Sequence, residues 1–147
     1  MDLPTDGKPL KSHLRRISVL VLLLLLTHHC RGQSQLIGSP QPIVANIGDD
    51  IILPCYLEPA VNVAGLTLEW TRPDMDPRFV HVMRSGHEMV DKKHTFFKGR
   101  TSMFTDELKN GNISLKLSNV QFSDHGKYRC FIPEVGSQTF VKLVFGK

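Results

Sequence analysis

The chain has 147 residues, 41% of them hydrophobic, with 18 Lys+Arg against 14 Asp+Glu for a formal net charge of +4. That length accommodates one domain of ordinary size and not two. Most of the positive excess lies in the first 32 residues: from Gln33 onward 13 Lys+Arg against 12 Asp+Glu leave +1, with the signs interspersed, which removes the main support for nucleic-acid binding.

In chain order, Lys8, Lys11, Arg15 and Arg16 precede an apolar run at 17–26, after which residues 27–32 turn polar. A basic start, about ten apolar residues and small residues before a cut describe a secretory signal peptide. It is assigned to 1–32, with cleavage after Gly32. The run is too short for a bilayer, which needs roughly 20 apolar residues. Cleavage removes Cys30 and leaves Cys55 and Cys130 as an even pair in an oxidising compartment.

The remainder, 33–147, reads as short strands separated by turn residues, without a long helical period. Ile43, Val44 and Ile47 make an early edge segment, interrupted by Pro40, Pro42 and Gly48. Strand B is expected over 50–56, with Ile51, Leu53 and Cys55 alternating toward one face. Strand C is expected over 66–72: Leu66, Leu68 and Trp70 share one face, Thr67, Glu69 and Thr71 the other, and Pro73 ends it. A C′ strand over 79–84 turns at Ser85-Gly86, and D follows over 100–104. The turn dipeptide Asn110-Gly111 leads into strand E, where Ile113, Leu115 and Leu117 alternate with Ser114 and Lys116. Strand F is expected over 126–132 and strand G over 140–145, with Val141, Leu143 and Phe145 on one side.

Cys55, Trp70, Tyr128 and Cys130 form one framework. In the immunoglobulin sandwich the two cysteines bridge strands B and F, the strand C Trp packs on the bridge, and a Tyr two residues before the second Cys ties down the corner into F. All four occur here in that order. The expected fold is therefore all-β, an immunoglobulin variable-type (V-set) antiparallel β-sandwich preceded by a cleaved signal peptide. The stretch between C and D, 72–100, has room for the C′ and C″ strands that distinguish variable from constant domains. The Cys55–Cys130 bridge should add about 4 kcal/mol in the chain-entropy model.

Catalysis finds little footing. His81, His87, His94 and His125 lack paired ligand spacing and read as solvated strand and loop residues, so no metal site is assigned. Ser123, Asp124 and His125 are triad residue types, but adjacency in sequence is not triad geometry, and a turn between E and F accounts for all three. No enzyme activity, cofactor or small-molecule substrate is expected. Arg100, opening D, and Asp124, in the E–F turn, are expected to form a structural ion pair. Asn112-Ile113-Ser114 is the one N-x-S/T sequon beyond residue 32, and its place beside a turn favours a glycan on Asn112. On the sheet holding G, F, C and C′, alternation directs Glu69, Thr71, Lys127, Arg129 and Phe131 outward, with Phe140 on G. These six make the candidate partner face, since an outward aromatic beside charges can anchor an interface.

Local signatures narrow the fold to a family. Leu53-Pro54-Cys55 with Pro59, the run 68–73 (Leu-Glu-Trp-Thr-Arg-Pro), Phe79-Val80-His81-Val82 with Arg84 and Gly86, Gly99-Arg100-Thr101, and Val120 through Asp124 resemble the amino-terminal variable domain of butyrophilins and myelin-oligodendrocyte glycoprotein. The resemblance covers about 35–145. It implies an extracellular, membrane-anchored surface protein that binds a protein partner on another cell and modulates T cells, or one that adheres by self-association. Relatives of this kind continue into a second immunoglobulin domain or a membrane helix, so Lys147 is expected to mark either a fragment or a secreted, decoy-like form. Antigen-receptor variable domains fit less well, because Phe145-Gly146 ends the alternating strand and lacks their second glycine.

Overall fold

The computed structural model describes residues 33–146 together with Ser18 and Val19. The segment assigned as a signal peptide therefore lies outside the described residues apart from those two, which are helical. Among the described residues no helix is long and apolar enough to cross a membrane.

The strands are β1 (Gln35–Ile37), β2 (Ile43–Ala45), β3 (Ile51–Leu53), β4 (Tyr56–Glu58), β5 (Thr67–Thr71), β6 (Phe79–Arg84), β7 (His87–Glu88), β8 (Thr101–Met103), β9 (Leu115–Leu117), β10 (Gly126–Ile132) and β11 (Ser137–Phe145). One sheet runs β2-β11-β10-β5-β6-β7 and a second β3-β9-β8, with β1-β4 as a two-stranded pair. The pairing is antiparallel except for β2, which lies parallel to the end of β11. In immunoglobulin terms β5, β6, β10 and β11 are C, C′, F and G, and β7 supplies a two-residue C″.

C′ and F match the expected bounds, whereas B is split into β3 and β4. The break falls at Pro54-Cys55. Proline has no N–H to give a ladder, and the Cys55 N–H goes to the Ser114 hydroxyl at 3.1 Å instead of to a carbonyl. Strand E begins only at Leu115, because the Ile113 N–H goes to the Cys55 carbonyl and the Ser114 N–H to the Asn112 side chain. Before it, residues 105–110 coil into a 3₁₀ turn, closed by Gly111 at φ +78°. A side chain at Gly111 would also meet the Val61 carbonyl oxygen at 3.1 Å, so both backbone conformation and space select glycine.

The two large sheets enclose Leu53, Leu68, Trp70, Leu115, Leu117, Tyr128, Ile132, Val141 and Leu143, all essentially without exposure. The Cys55–Cys130 disulfide joins them across a Cα–Cα distance of 6.7 Å, closing a sequence separation of 75. Trp70 pairs with Cys130 across β5 and β10, and its indole N–H donates to the Ile113 carbonyl at 2.8 Å. Ile113 N–H in turn donates to the Cys55 carbonyl at 2.8 Å. The ring is thus fully buried with its one polar atom satisfied, and it links the sheets a second time.

One expectation about the core is corrected. His81, read as solvated, is only 3% exposed and points inward opposite Trp70. Its Nδ1 lies 2.9 Å from the Thr101 hydroxyl. The buried Lys93 ammonium donates to that same hydroxyl oxygen at 2.7 Å and to Glu88 at 2.6 Å. The Thr101 hydroxyl also lies within 3.5 Å of the Val80 carbonyl, to which it can donate, and the His81 Nδ1 is 3.4 Å from the Glu88 carboxylate. Burial and the adjacent Lys93 charge push the His81 pKa down to about 4.

Candidate functional site

Two regions carry the charged residues singled out by the sequence, and both draw on β10. At the end of the sandwich where the turn 122–124 enters β10, Arg100 is tied down. Arg100 gives one N–H to each Asp124 carboxylate oxygen, both at 2.8 Å, and further N–H groups to the Phe96 carbonyl. Asp124, whose side chain is 2% exposed, also accepts the Gln121 N–H at 2.7 Å. The hydrogen bonds to Asp124 lead among the causes that raise the Arg100 pKa. Tyr128 donates its O–H to the Asp124 carbonyl at 2.6 Å, and burial drives its pKa upward. This is the corner geometry expected of a Tyr two residues before the second cysteine.

Arg72 joins this end, and sequence reasoning treated it only as part of a motif. It is 6% exposed, donates to Asp74 and to the Ser123 carbonyl at 2.9 Å, and its guanidinium lies 5.5 Å from the Tyr128 ring centre. A side chain at Gly126, which has φ +149°, would come within 2.9 Å of the Arg72 Nη2. Glycine there is what lets the guanidinium lie against the strand. Its position two residues before Tyr128 was the available clue.

The candidate partner face is the outer side of the six-stranded sheet. The register sets Arg129 opposite Phe140, Phe131 opposite Gln138, and Lys127 opposite Lys142. On the other flank of β10, Phe131 faces Glu69 and Arg129 faces Thr71. Lys127 and Phe140 are exposed, while Glu69, Arg129 and Phe131 are half-buried. The Lys127 ammonium sits 4.2 Å from the Phe140 ring centre, and the Arg129 guanidinium 4.1 Å from that of Phe131. Arg129 also donates to the Gln138 amide oxygen. The face is therefore a set of cations laid over aromatic rings, an arrangement that holds long side chains in place without neutralising them.

Thr71 does not belong to this accessible set. It is 2% exposed, with its hydroxyl oxygen buried and unpartnered. Its register opposite Arg129 keeps it on the outer side of β5, as alternation requires, so it is burial by its surroundings and not a change of face that removes it. Lys142 and Gln138, by contrast, were not singled out. The period-2 pattern that turns Val141 and Leu143 inward would have found them.

Asn112 is half-buried beside β4, where it bridges to Tyr56. Its side-chain oxygen accepts from the backbone N–H of Ser114 at 3.1 Å and from the Ser114 hydroxyl at 2.6 Å. The sequon thus folds on itself as a compact Asx turn.

Two sheets stapled by a disulfide over one tryptophan, with C′ and C″ strands and a tyrosine corner, define a variable-type immunoglobulin domain. The comparisons agree: residues 38–144 match the immunoglobulin V-set domain model, and the chain belongs to that family. It is 37% identical over 113 residues to myelin-oligodendrocyte glycoprotein of Macaca fascicularis, covering 77% of this chain and 45% of that protein. It is 38% identical over 121 residues to the Rattus norvegicus V-set domain-containing T-cell activation inhibitor 1, covering 79% and 43%. The crystal structure of bovine butyrophilin superposes with a TM-score of 0.70 at 34% identity, covering 76% of this chain and 54% of that one. The matched region spans less than half the length of these two curated relatives. Family membership, and not the absence of any residue set, places this chain among immunoglobulin domains and not among enzymes.

Proposed function

We propose that the chain is the extracellular recognition domain of a butyrophilin-like surface protein, which contacts a protein partner on another cell and thereby modulates T-cell responses. The observation that carries the reading is the outer face of β10 and β11. Phe140 and Lys127 are exposed there, with Phe131 and Arg129 beside them, on a rigid scaffold and without a structural task of their own. Rigid aromatic and guanidinium side chains are the residue types that dominate binding energy at protein interfaces. Similarity to a protein named as a T-cell activation inhibitor supports the immune setting. The signal peptide at 1–32 and a glycan on Asn112 belong to the same extracellular reading. Mass spectrometry before and after glycosidase treatment tests the glycan, and a secreted chain with no mass change would remove it.

The function itself is tested by displaying the folded chain as a multimer to activated T cells. Saturable staining together with altered proliferation is expected. Absence of staining, combined with concentration-dependent dimers in sedimentation, would replace this reading with homophilic adhesion.

A further inference from the structure

We propose that the outer face of β10 and β11 takes a carboxylate-rich segment of a heterologous protein partner, gripped by Lys127, Arg129 and Lys142 around the Phe140 ring. The proposal rests on reading this face as the contact surface and adds the chemistry of what it contacts.

Lys127 and Lys142 stand directly opposite each other across β10 and β11. Like charges so placed work against the sheet, and a sequence under selection for stability alone would not favour them. Among the described residues neither lysine makes an ion pair, and neither does Arg129. Their nearest compensation comes from the Phe140 and Phe131 rings and from the neutral Gln138 amide. The carboxylate that the register brings to this side is Glu69, opposite Phe131 and away from the two lysines. The patch therefore stays positive on a domain whose charges from Gln33 onward nearly cancel.

Shape supports the same occupant. Pro40 and Pro42 line a groove of about 440 Å³ with Lys127, Phe140 and Lys142. Two prolines and a phenyl ring suit an apolar side chain, while the two ammonium groups suit carboxylates on either side of it. A sulfated polysaccharide would match the charges but leave the apolar wall unused. A second copy of this face would fit poorly, because a two-fold contact brings Lys127, Arg129 and Lys142 against the same three residues.

Titration of the isotope-labelled folded chain by NMR, with three probes, tests the proposal. The probes are a peptide of alternating Glu and Tyr, its Gln–Tyr counterpart, and a heparin hexasaccharide. The Glu–Tyr peptide is expected to move the amide resonances of Lys127, Phe140 and Lys142 saturably, and the Gln–Tyr peptide to leave them in place. The double variant Lys127→Gln/Lys142→Gln, melting as the parent does, should bind the acidic peptide about tenfold more weakly. Equal responses to both peptides, no response to either, or a response at these residues to heparin alone would overturn it. Failure of the charge chemistry is distinguishable from failure of the contact surface itself. T-cell staining lost in Phe140→Asp but retained in the double lysine variant leaves the face standing, and staining retained in both removes the face.

Discussion

Tyr128 and Arg129 are neighbours on one strand, yet they live in opposite regimes. Tyr128 turns into a network in which Arg72, Arg100 and Asp124 have their charged groups paired or hydrogen-bonded. Arg129 turns outward, where its partners are a ring and a neutral amide. A buried charge must be paired and hydrogen-bonded or the fold is penalised, so the inner cations are over-determined. An outer cation suffers no such penalty and is free to meet a partner. Satisfaction of the charge, more than residue type, separates the structural arginines from the one proposed here for recognition.

The largest effect expected on the inner side comes from its covalent member. Replacing Cys55 and Cys130 together by Ala should cost about 4 kcal/mol in the chain-entropy model, measured by denaturant unfolding. A variant as stable as the parent would show that the noncovalent Trp70 link suffices alone. Next comes Arg100→Ala, which strands the Asp124 carboxylate at 2% side-chain exposure and should lower stability by about 3 kcal/mol. T-cell staining by that variant should persist below its melting temperature. An unchanged melting curve would contradict the structural assignment of the pair.

The buried His81 cluster gives an effect that depends on pH. The unfolded chain takes up a proton near the ordinary histidine pKa of about 6.5, whereas folded His81 resists it until about 4. As pH falls through that window the unfolded state binds the extra proton, so stability is full above the upper limit and declines toward the lower. The slope should reach at most about 1.4 kcal/mol per pH unit. His81→Gln should flatten it, and a variant that keeps the parent's slope would place its origin elsewhere. The smallest stability effects belong to the outer face: Lys127→Ala and Arg129→Ala should each change stability by under about 0.5 kcal/mol. A large loss in either would mean that the cation–ring contacts serve the fold and not a partner.

Much of this contrast was legible in the sequence. The Cys55, Trp70, Tyr128 and Cys130 spacing implied the sandwich, and the strand periods of 79–84 and 126–132 matched β6 and β10. Arg100 and Asp124 could be paired because the topology brings the start of D to the E–F turn. What escaped depended on tertiary context. Gln35–Ile37 is too short to show a period and becomes a strand only through its pairing with Tyr56–Glu58. Thr71 lies on the expected side, opposite Arg129, but alternation gives the face of a residue and not how deeply its neighbours cover it. His81 looked like any strand histidine, since the Thr101 and Lys93 groups that make its burial tolerable arrive from distant segments. Lys142, by contrast, is legible in the sequence, since the period that turns Val141 and Leu143 inward sets it on the exposed side.

The most direct test of the central claim is multimer staining of activated T cells by Phe131→Asp and Phe140→Asp, each first shown to melt like the parent. The account predicts that staining is lost in both variants while Arg100→Ala, held below its melting temperature, still stains. Undiminished staining by the two aspartate variants would contradict it and move the contact surface off the outer side of β10 and β11.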